Sequence, residues 1–453
     1  MLSSKEVILV LRRRLFSKSL SLSYENSDPL LIVEGRGCYL IDERGHKYLD
    51  TRNNVAHVGH SHPHVVQAIQ RQVALLNTNT RYLHPTMTRL AERLVRLLPD
   101  SLEVVFFCNS GSEANDLALR LARAYAKGSE NTIVMDRAYH GHTLGTLQVS
   151  PYKYDHGSES IHTNPSHYYK VPCPDTYRGV HRDLVTAGTM YAKYVQEACH
   201  HFQSKGEKIR AWIVEGGMSV AGVILPPKGY LSVCAEAVRA AGGLYIADEV
   251  QTGFGRLGSC LWAFQHNDPA ITPDIVTVGK PFGNGMPLAA IVTTRKVASA
   301  FEKCGIEYFK TFGGNPVCAA AGVAVLDVLE KENLQQNALE VGMYLKQQFE
   351  LLQSTIELIG DVRGSGLFLG VELVRDRSSL EPATAEASFI CSILKSKYHI
   401  LTSIDGQYDN VIVIKPPMVF SKTNAVEFIA SFRQAVLLDL PAVDLTKTSF
   451  TPT

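Results

Sequence analysis

Short apolar runs alternate with longer helical patterns over the first two thirds of the chain. Five runs are almost continuously apolar and rich in β-branched or aromatic residues, as is typical of strands buried on both faces of a parallel sheet. They span residues 104–107, 132–135, 212–214, 244–247 and 275–278. Helical patterns lie between them, for example at 113–126 and 231–241. The alternation predicts an α/β fold with helices on both faces of a mostly parallel sheet.

The pattern changes after residue 315. Helical periodicity dominates at 317–330, 334–353, 386–397 and 422–437, and strand patterns occur at 364–374 and 411–415. We therefore expect a large domain at 56–315 and a smaller α+β domain at 316–441. Residues 1–55 are expected to pack on the smaller domain, with a hairpin of 38–42 and 47–50 around Arg44 and Gly45. Residues 442–453 are predicted to be a disordered tail.

The overall composition indicates an ordinary globular protein. The chain has 453 residues, 45% of them apolar, and a formal net charge of +1, so no global charge favours nucleic acid or anionic membrane as a partner. No apolar run reaches the roughly 18–20 residues of a membrane span. Nine cysteines without a Cys-x-x-Cys pair indicate reduced thiols in a reducing compartment.

The N-terminal segment is compatible with two locations. Residues 11–19 are basic and serine-rich, like a mitochondrial transit peptide. Glu6, Glu25 and Asp28 favour instead an amphipathic helix of the mature protein. We predict a cytoplasmic protein, with the mitochondrial matrix as the alternative.

Polar residues follow each of the five predicted strands. They are Asn109 to Ser112, Asp136 to His140, Glu215, Asp248 and Lys280. In open α/β sheets, ligands bind beyond the carboxyl ends of the strands. The sequence therefore predicts one site at this edge of the sheet.

Lys280 and Asp248 suit pyridoxal phosphate (PLP). A lysine amine forms a Schiff base with the aldehyde of this cofactor, and a carboxylate holds its pyridine nitrogen protonated. The turn at Ser110, Gly111 and Ser112 opens a predicted helix, whose first N–H groups bind phosphate well. A plain helix cap at Ser110 or Ser112 is the alternative interpretation of that turn.

Three other features each have a functional and a structural interpretation. Tyr139 either stacks on a pyridine ring or packs into the core. Thr311 is either a second phosphate donor or a helix cap. Four histidines alternate at positions 57, 60, 62 and 64, but no carboxylate or thiolate is close in sequence to complete a zinc site. We expect turn-capping or interface roles for them and no metal.

The chain resembles the class III (ω-) aminotransferase family of PLP enzymes over residues 25–440. The motifs that carry the resemblance are residues 109–115, 139–141, 247–256, 279–281, 311–316 and 362–367. The resemblance implies fold type I, with a large domain and a smaller α+β domain. It also implies a homodimer, or a dimer of dimers, with shared active sites.

The resemblance assigns roles position by position. Lys280 is the Schiff-base lysine and the base, and Asp248 pairs with the pyridine nitrogen. The other implied cofactor contacts are Gln251 near the ring hydroxyl, Tyr139 stacked on the ring with His140 beside it, Gly111 and Ser112 at the phosphate, and Thr311 from the neighbouring subunit. Arg363 takes a substrate carboxylate. Glu215 pairs with Arg363 when that carboxylate is missing.

Several segments resemble the phospho-lyase branch of this family. They are residues 53–60, which include Asn54, and 77–84, 150–154, 174–179 and 415–418. The implied reaction is elimination of phosphate and ammonia from a phosphorylated amine, such as ethanolamine phosphate or phosphohydroxylysine. Residues 216–220 depart from the branch pattern.

A phosphomonoester requires cationic donors. Arg81 is the first choice, and Lys153, Arg178 and Lys415 are the other candidates, each with solvated surface charge as its alternative. Transamination of the alanine–glyoxylate or ω-amino acid type is the rival activity, since Lys280 would take the same first proton. A PLP-binding protein without catalysis is the second rival.

Overall fold

The structure is a computed structural model that describes residues 4–25, 28–155 and 167–443. The helices are α1 Lys5–Leu15, α2 Pro63–Leu75, α3 Pro85–Arg96, α4 Gly111–Tyr125, α5 Leu144–Gln148, α6 Pro151–Tyr154, α7 Ala187–Ser204, α8 Tyr230–Ala240, α9 Arg295–Glu302, α10 Pro316–Lys331, α11 Leu334–Gln353, α12 Thr384–Tyr398 and α13 Lys422–Gln434. The strands are β1 Ile32–Arg36, β2 Tyr39–Asp42, β3 Lys47–Asp50, β4 Val104–Cys108, β5 Thr132–Met135, β6 Tyr168–Val171, β7 Ala211–Glu215, β8 Leu244–Asp248, β9 Ile275–Val278, β10 Ala289–Thr293, β11 Ile359–Ser365, β12 Phe368–Asp376, β13 Glu381–Pro382, β14 Ile400–Leu401, β15 Ser403–Asp405 and β16 Val411–Ile414.

A seven-stranded sheet forms the centre of the molecule. Its strand order is β4-β10-β9-β8-β7-β5-β6, and β10 pairs antiparallel with both β4 and β9. The other neighbours pair in parallel, as the sequence predicts. All five predicted strands are present, whereas β6 and β10 were not predicted. Helices α4, α7 and α8 pack against the sheet, and its strands β5, β7, β8, β9 and β10 are buried along their whole length.

A second, antiparallel sheet lies in the C-terminal part of the chain. Its order is β11-β12-β16-β15, and β13 pairs with β12. The sequence predicted one strand at 364–374, but the structure has two, β11 and β12, joined by a tight turn. Gly366 makes this turn possible, because its φ of 57° belongs to the left-handed region that glycine adopts without strain.

The N-terminal strands join the C-terminal part of the chain. β2 and β3 form the predicted hairpin, and β3 pairs in parallel with β14. Leu49 of β3 is fully buried in the same apolar cluster as Leu345 of α11 and Phe428 of α13. The contact explains why Asp50 and the residues after it have a fixed position beside the large sheet. Residues 5–15 form the amphipathic helix favoured by the sequence.

Other features of the chain have simple structural explanations. All nine cysteines are unpaired, and seven of them are buried. Within the described ranges, no helix has the length and apolar character needed to cross a membrane. The four alternating histidines contact four different groups, namely Phe254 O, Asp50, Glu332 and Asp327. The predicted tail lies outside the described residues from position 444 onward.

Candidate active site

Two adjoining cavities open at the carboxyl edge of the large sheet. The smaller, which we call the inner cavity, has a volume of about 270 Å³ and lies between the start of α4, the end of β8 and Lys280. The larger, the outer cavity, has a volume of about 1080 Å³ and lies towards β3 and β15. Tyr139, Gln251 and Lys280 line both cavities. The inner cavity therefore lies where the sequence predicts the site.

Lys280 follows β9 at the boundary between the cavities. Its φ of 21° lies outside the broad allowed regions for an L-residue, so the backbone is strained at this point. Burial lowers the pKa of its ammonium, while the charges of Asp248 and Glu215 act in the opposite direction. A lysine with a lowered pKa carries a larger neutral fraction, which is the form that acts as nucleophile and base.

Asp248 ends β8 and is held by three donors. Its Oδ2 accepts a hydrogen bond from Asn115 Nδ2 at 2.7 Å and lies 2.8 Å from His140 Nδ1. Its Oδ1 accepts from the backbone N–H of Val250 at 3.0 Å. Because the side chain is only 3% exposed, these contacts fix the carboxylate at the base of the inner cavity.

The start of α4 forms the opposite wall of the inner cavity. Gly111 begins the helix, and a Cβ at this position would lie 2.6 Å from Val250 Cγ1, so only glycine allows the backbone to approach so closely. The Ser112 Oγ accepts a hydrogen bond from the His142 N–H at 3.1 Å. Ser110 caps this helix, since its Oγ accepts a hydrogen bond from the Glu113 N–H at 3.2 Å. The N–H groups of Gly111 and Ser112 precede the first hydrogen bond of the helix, so they can bind an anion.

Glu215 ends β7 behind the ring of Tyr139. Its Oε1 accepts from the Tyr139 N–H at 3.2 Å and its Oε2 from the Ser219 N–H at 3.3 Å. Burial raises the pKa of this carboxyl to about 7, with Asp248 adding to the shift and His140 opposing it. Tyr139 also has a raised pKa because of burial, so its phenol stays neutral.

Asn54 and Gln251 form a pair at the boundary between the cavities. Asn54 Nδ2 donates to Gln251 Oε1 at 2.7 Å, and both side chains are buried. Asn54 lines the outer cavity, whereas Gln251 lines both. The amide of Asn54 thus orients Gln251 for the cofactor contact that the resemblance implies.

Cations and carboxylates share the wall of the outer cavity. Arg52, Lys153 and Lys415 supply positive charge, and Asp405 and Asp409 supply negative charge. Lys153 is exposed, with its Nζ 5.1 Å from the centroid of the Tyr152 ring. Lys415 is only 8% exposed. Of the candidate phosphate donors predicted from sequence, Lys153 and Lys415 therefore lie in the cavity next to Lys280.

Arg363 lies in a different environment from the one that the resemblance implies. Its Nη1 donates to Glu372 at 2.7 Å and to Asp361 at 2.8 Å, and its Nε donates to Gly222 O at 2.7 Å. The guanidinium lines neither cavity, and no described contact joins it to Glu215. Carboxylates of its own sheet already occupy this arginine, so the expected pairing with Glu215 does not form.

Three other predicted residues also lie outside both cavities. Arg178 forms an ion pair with Glu372 and donates to Leu380 O. Arg81 is largely exposed, with its guanidinium carbon 4.0 Å from the centroid of the Phe309 ring, and Thr311 is exposed as well. In a single chain, neither Arg81 nor Thr311 lines the inner cavity.

The sequence analysis did not predict the roles of Asn115 and Ser219. Asn115 lies three positions after Ser112 on the same face of α4, and that helical spacing is the signal that was missed. Ser219 lies in the unusual segment 216–220, where a Cβ on Gly216 would lie 2.6 Å from Glu249 Oε1. Glycine is therefore required there for close packing.

The inner cavity fits PLP. The fixed carboxylate of Asp248, the buried amine of Lys280 and the N–H groups of Gly111 and Ser112 correspond to the ring nitrogen, the aldehyde and the phosphate of the cofactor, in that order. The glycine at position 111 leaves space that a larger residue would fill. This donor set matches the chemistry of the cofactor in each of its three parts.

Comparison with known proteins finds relatives that match nearly the whole chain. The family model described as aminotransferase class-III matches residues 22–436. A protein of Drosophila melanogaster named alanine–glyoxylate aminotransferase 2-like is 47% identical over 438 residues, which cover 96% of this chain and 87% of that protein. Ethanolamine-phosphate phospho-lyase homolog 1 of Caenorhabditis elegans is 42% identical over 445 residues, which cover 96% and 94%.

A solved structure has a similar fold. It is a phospholyase from Arthrobacter in complex with phosphoethanolamine, with a TM-score of 0.88 and 34% sequence identity. The match covers 96% of this chain and 100% of that one. The similarity therefore includes both the large sheet and the C-terminal part that carries Lys415.

Proposed function

Because the chain belongs to the class III aminotransferase family, whose cofactor is PLP, we propose that it is a lyase that eliminates phosphate and ammonia from a phosphorylated amine. Ethanolamine phosphate, which would give acetaldehyde, and phosphohydroxylysine are the proposed substrates. The overall reaction consumes one water, since ethanolamine phosphate and water give acetaldehyde, ammonia and phosphate.

Bound PLP supplies an aldehyde for the substrate amine and a ring that accepts an electron pair. The chain's own residues supply the remaining functions. Lys280 Nζ removes a proton from the amine-bearing carbon, and Asp248 keeps a proton on the ring nitrogen. Tyr139, which lines both cavities, would cover one face of the ring and limit the access of water. Asn54 holds Gln251 in place beside the site.

The observation that carries the proposal is the buried cation Lys415 in the cavity next to Lys280. A departing phosphate needs compensating positive charge, and an ammonium group binds it well as a point charge. The phospholyase with phosphoethanolamine and the phospho-lyase homolog support the same reaction. No keto acid is required, because the cofactor keeps its aldehyde form through the elimination.

Transamination is the second candidate function. The 47% identity to an alanine–glyoxylate aminotransferase 2-like protein favours it. Lys280 and Asp248 serve this reaction equally well, because both reactions begin with the same proton transfer. The difference lies in the fate of the electron pair, which in transamination stays on the cofactor instead of expelling phosphate.

We also propose that two copies of the chain share their active sites. Large apolar side chains are exposed on two contacting segments, with Tyr82 and Leu83 on one and Ile306 and Phe312 on the other. Phe312 O accepts a hydrogen bond from Asn109 Nδ2 at 2.9 Å, and Asn109 lines the inner cavity. Burial of this surface by a second copy would bring Thr311 and Arg81 to the partner's site.

The test uses the purified holoenzyme with ethanolamine phosphate or phosphohydroxylysine and no keto acid. We expect phosphate and ammonia in equal amounts, with acetaldehyde as the carbon product from ethanolamine phosphate. Alanine alone, tested by the cofactor spectrum, is the matched control for transamination. Conversion of the cofactor to its amine form by alanine, without phosphate release from either substrate, would contradict the proposal.

A further inference from the structure

We propose that Lys415 is a catalytic residue that binds the substrate's phosphate and donates a proton to its departing oxygen, with Ser219 as its positioning residue. The inference rests on the proposed function and deepens it, because it names the group that makes the site specific for phosphorylated amines. Segment 216–220, which departs from the pattern of the phospho-lyase branch, would then have a role in positioning Lys415.

Lys415 is a buried cation that faces a cavity. It follows β16, is 8% exposed and lines the outer cavity together with Lys280. Burial lowers the pKa of Lys415, while the charge of Asp405 opposes this shift and the charge of Lys280 adds to it. In ethanolamine phosphate, two carbons separate the reacting amine from the phosphate oxygen. A cation that lines the same cavity as Lys280 is therefore in the right region to meet that phosphate.

The ammonium of Lys415 retains donors for a ligand. It has three N–H groups, and its Nζ donates to Ser219 Oγ at 2.7 Å. Asp405 Oδ2 lies 3.7 Å away, which is an ion-pair contact but too long for a hydrogen bond. No other acceptor contacts Nζ within the described part of the chain. Because the remaining N–H groups face a cavity and lack an acceptor among the described residues, the ammonium can donate them to a bound anion.

The arrangement favours phosphate over carboxylate as that anion. A planar guanidinium is the usual partner of a carboxylate, but Arg363 is occupied by Asp361 and Glu372. The cavity offers a compact ammonium instead, with the cations of Arg52 and Lys153 on the same wall. Five cationic side chains line this cavity, namely Arg12, Arg52, Lys153, Lys280 and Lys415, against three carboxylates, namely Asp50, Asp405 and Asp409. This surplus of positive charge suits the two negative charges of a phosphomonoester better than the single charge of a carboxylate.

Ser219 fixes the direction of the Lys415 ammonium. The serine is fully buried in a turn whose Gly222 O accepts a hydrogen bond from Arg363. Its N–H also donates to Glu215 Oε2. Two hydrogen bonds therefore connect these side chains in series, because Ser219 contacts Glu215 through its N–H and Lys415 through its Oγ. The hydrogen bond from Arg363 to Gly222 O stabilises the turn that contains Ser219.

The proposed step balances as follows. Lys280 takes the proton from the amine-bearing carbon, and the electron pair of that C–H bond forms the new carbon–carbon double bond. The C–O bond breaks, and its electron pair leaves on the phosphate oxygen. The Lys415 ammonium gives that oxygen a proton, so inorganic phosphate departs as the monohydrogen form. Burial lowers the pKa of Lys415, which makes its ammonium a better acid than a solvated lysine.

Three variants test the two roles. Lys415→Met removes both, and we expect kcat/KM for phosphate release from ethanolamine phosphate to fall about 100-fold or more. Lys415→Arg keeps the charge but cannot give up a proton, so kcat should fall more than KM rises. Ser219→Ala should give an intermediate loss. Lys193→Met, on the exposed face of α7, is the matched control and should equal wild type.

Binding of inorganic phosphate to the holoenzyme is a readout independent of turnover. Measured by calorimetry, it should weaken about 10-fold or more in Lys415→Met and remain within about 10-fold of wild type in Lys415→Arg. An unchanged cofactor spectrum and an unchanged midpoint of thermal unfolding show that each variant is folded and loaded with cofactor.

The outcomes separate this inference from the proposed function. If wild type releases no phosphate from either substrate, the proposed function fails and this inference fails with it. If wild type releases phosphate and Lys415→Met does so at a similar rate, only this inference is overturned. An equal loss of phosphate release and of PLP affinity in Lys415→Met would also overturn it, because Lys415 would then not act on the substrate specifically. An unchanged kcat in Lys415→Arg would remove the proton-donor role.

Discussion

The inner and outer cavities share Lys280 but are built in different ways. The inner cavity takes its polar groups from the ends of neighbouring strands of one sheet and from the start of α4. The outer cavity combines Arg52, after β3, with Asp405 and Lys415 from the C-terminal part. In the inner cavity, Asp248 is fixed by three donors. In the outer cavity, Lys415 keeps unused donors.

The difference indicates that the inner cavity binds the cofactor and the outer cavity binds the substrate. A cofactor is a permanent partner, so its contacts can be pre-formed and rigid. A substrate enters and leaves, and cations that face it must keep donors free. The inner cavity would then supply the steps that all PLP reactions of amines share. The charged groups of the outer cavity would determine whether elimination or transamination follows.

The largest expected effect comes from Lys280→Ala, since this lysine belongs to both cavities. The variant should lose the visible absorbance of the lysine-bound cofactor and at least about 10⁴-fold in activity, because nucleophile and base are removed together. Lys193→Ala, an exposed lysine on α7, is the control. Survival of the absorbance band would show that another lysine holds the cofactor.

Arg363→Met tests whether Arg363 stabilises the fold through its ion pair with Glu372 or binds a substrate carboxylate. The change leaves Glu372, which is 2% exposed, without one of its partners, so we expect a loss of about 3–5 kcal/mol in the free energy of unfolding. Thermal unfolding measures it, with exposed Arg71→Met on α2 as control. A large rise in KM without loss of stability would instead assign Arg363 to the substrate, as the resemblance implied.

Glu215→Gln tests the buried carboxyl that accepts hydrogen bonds from the Tyr139 and Ser219 N–H groups. Burial raises its pKa from 4.5 to about 7, so the folded chain keeps a proton that the unfolded chain has already lost. Its contribution to stability is complete below pH 4.5 and is lost as the pH rises to about 7. The shift corresponds to about 3 kcal/mol.

The apo-protein should therefore lose stability more steeply in this pH range than the Glu215→Gln variant does. Glu249, whose pKa is also raised to about 7 by burial, leaves part of the slope in place. Exposed Glu350→Gln on α11 should keep the full slope. Identical slopes in wild type and Glu215→Gln would mean that Glu215 titrates normally.

The smallest expected effect concerns a residue that reaches neither cavity in one chain. If Thr311 serves the partner's inner cavity, Thr311→Val removes one hydroxyl hydrogen bond to the cofactor phosphate. PLP affinity should then fall about 5-fold, measured by spectral titration of the apo-protein. Thr355→Val, at a distant turn after α11, is the control. An unchanged affinity would argue against the shared site.

The inner cavity could be predicted from sequence because its geometry follows from local patterns. Apolar runs locate the strands, and parallel strands bring their carboxyl ends to one edge, which places Glu215, Asp248 and Lys280 together. Strand β10 was missed although its pattern is apolar; it enters the sheet antiparallel, beside β4 and β9.

The outer cavity could not be predicted in the same way. Lys415 and Ser219 are 196 positions apart, and no spacing rule connects them. The ion pair of Arg363 with Glu372 could not be predicted from sequence, because it depends on the register in which β11 and β12 pair. Burial and long-range contacts decide which cations serve the substrate, and the sequence contains that information only through the fold.

The number of turnovers without any amino acceptor tests the central claim most directly. The holoenzyme is incubated with excess ethanolamine phosphate or phosphohydroxylysine and no keto acid, and released phosphate is counted per active site. Our account predicts many equivalents of phosphate from at least one of them, each with one ammonia, while the cofactor keeps its aldehyde form. Arrest of both reactions within one equivalent, with the cofactor left in its amine form, would contradict the account and identify a transaminase.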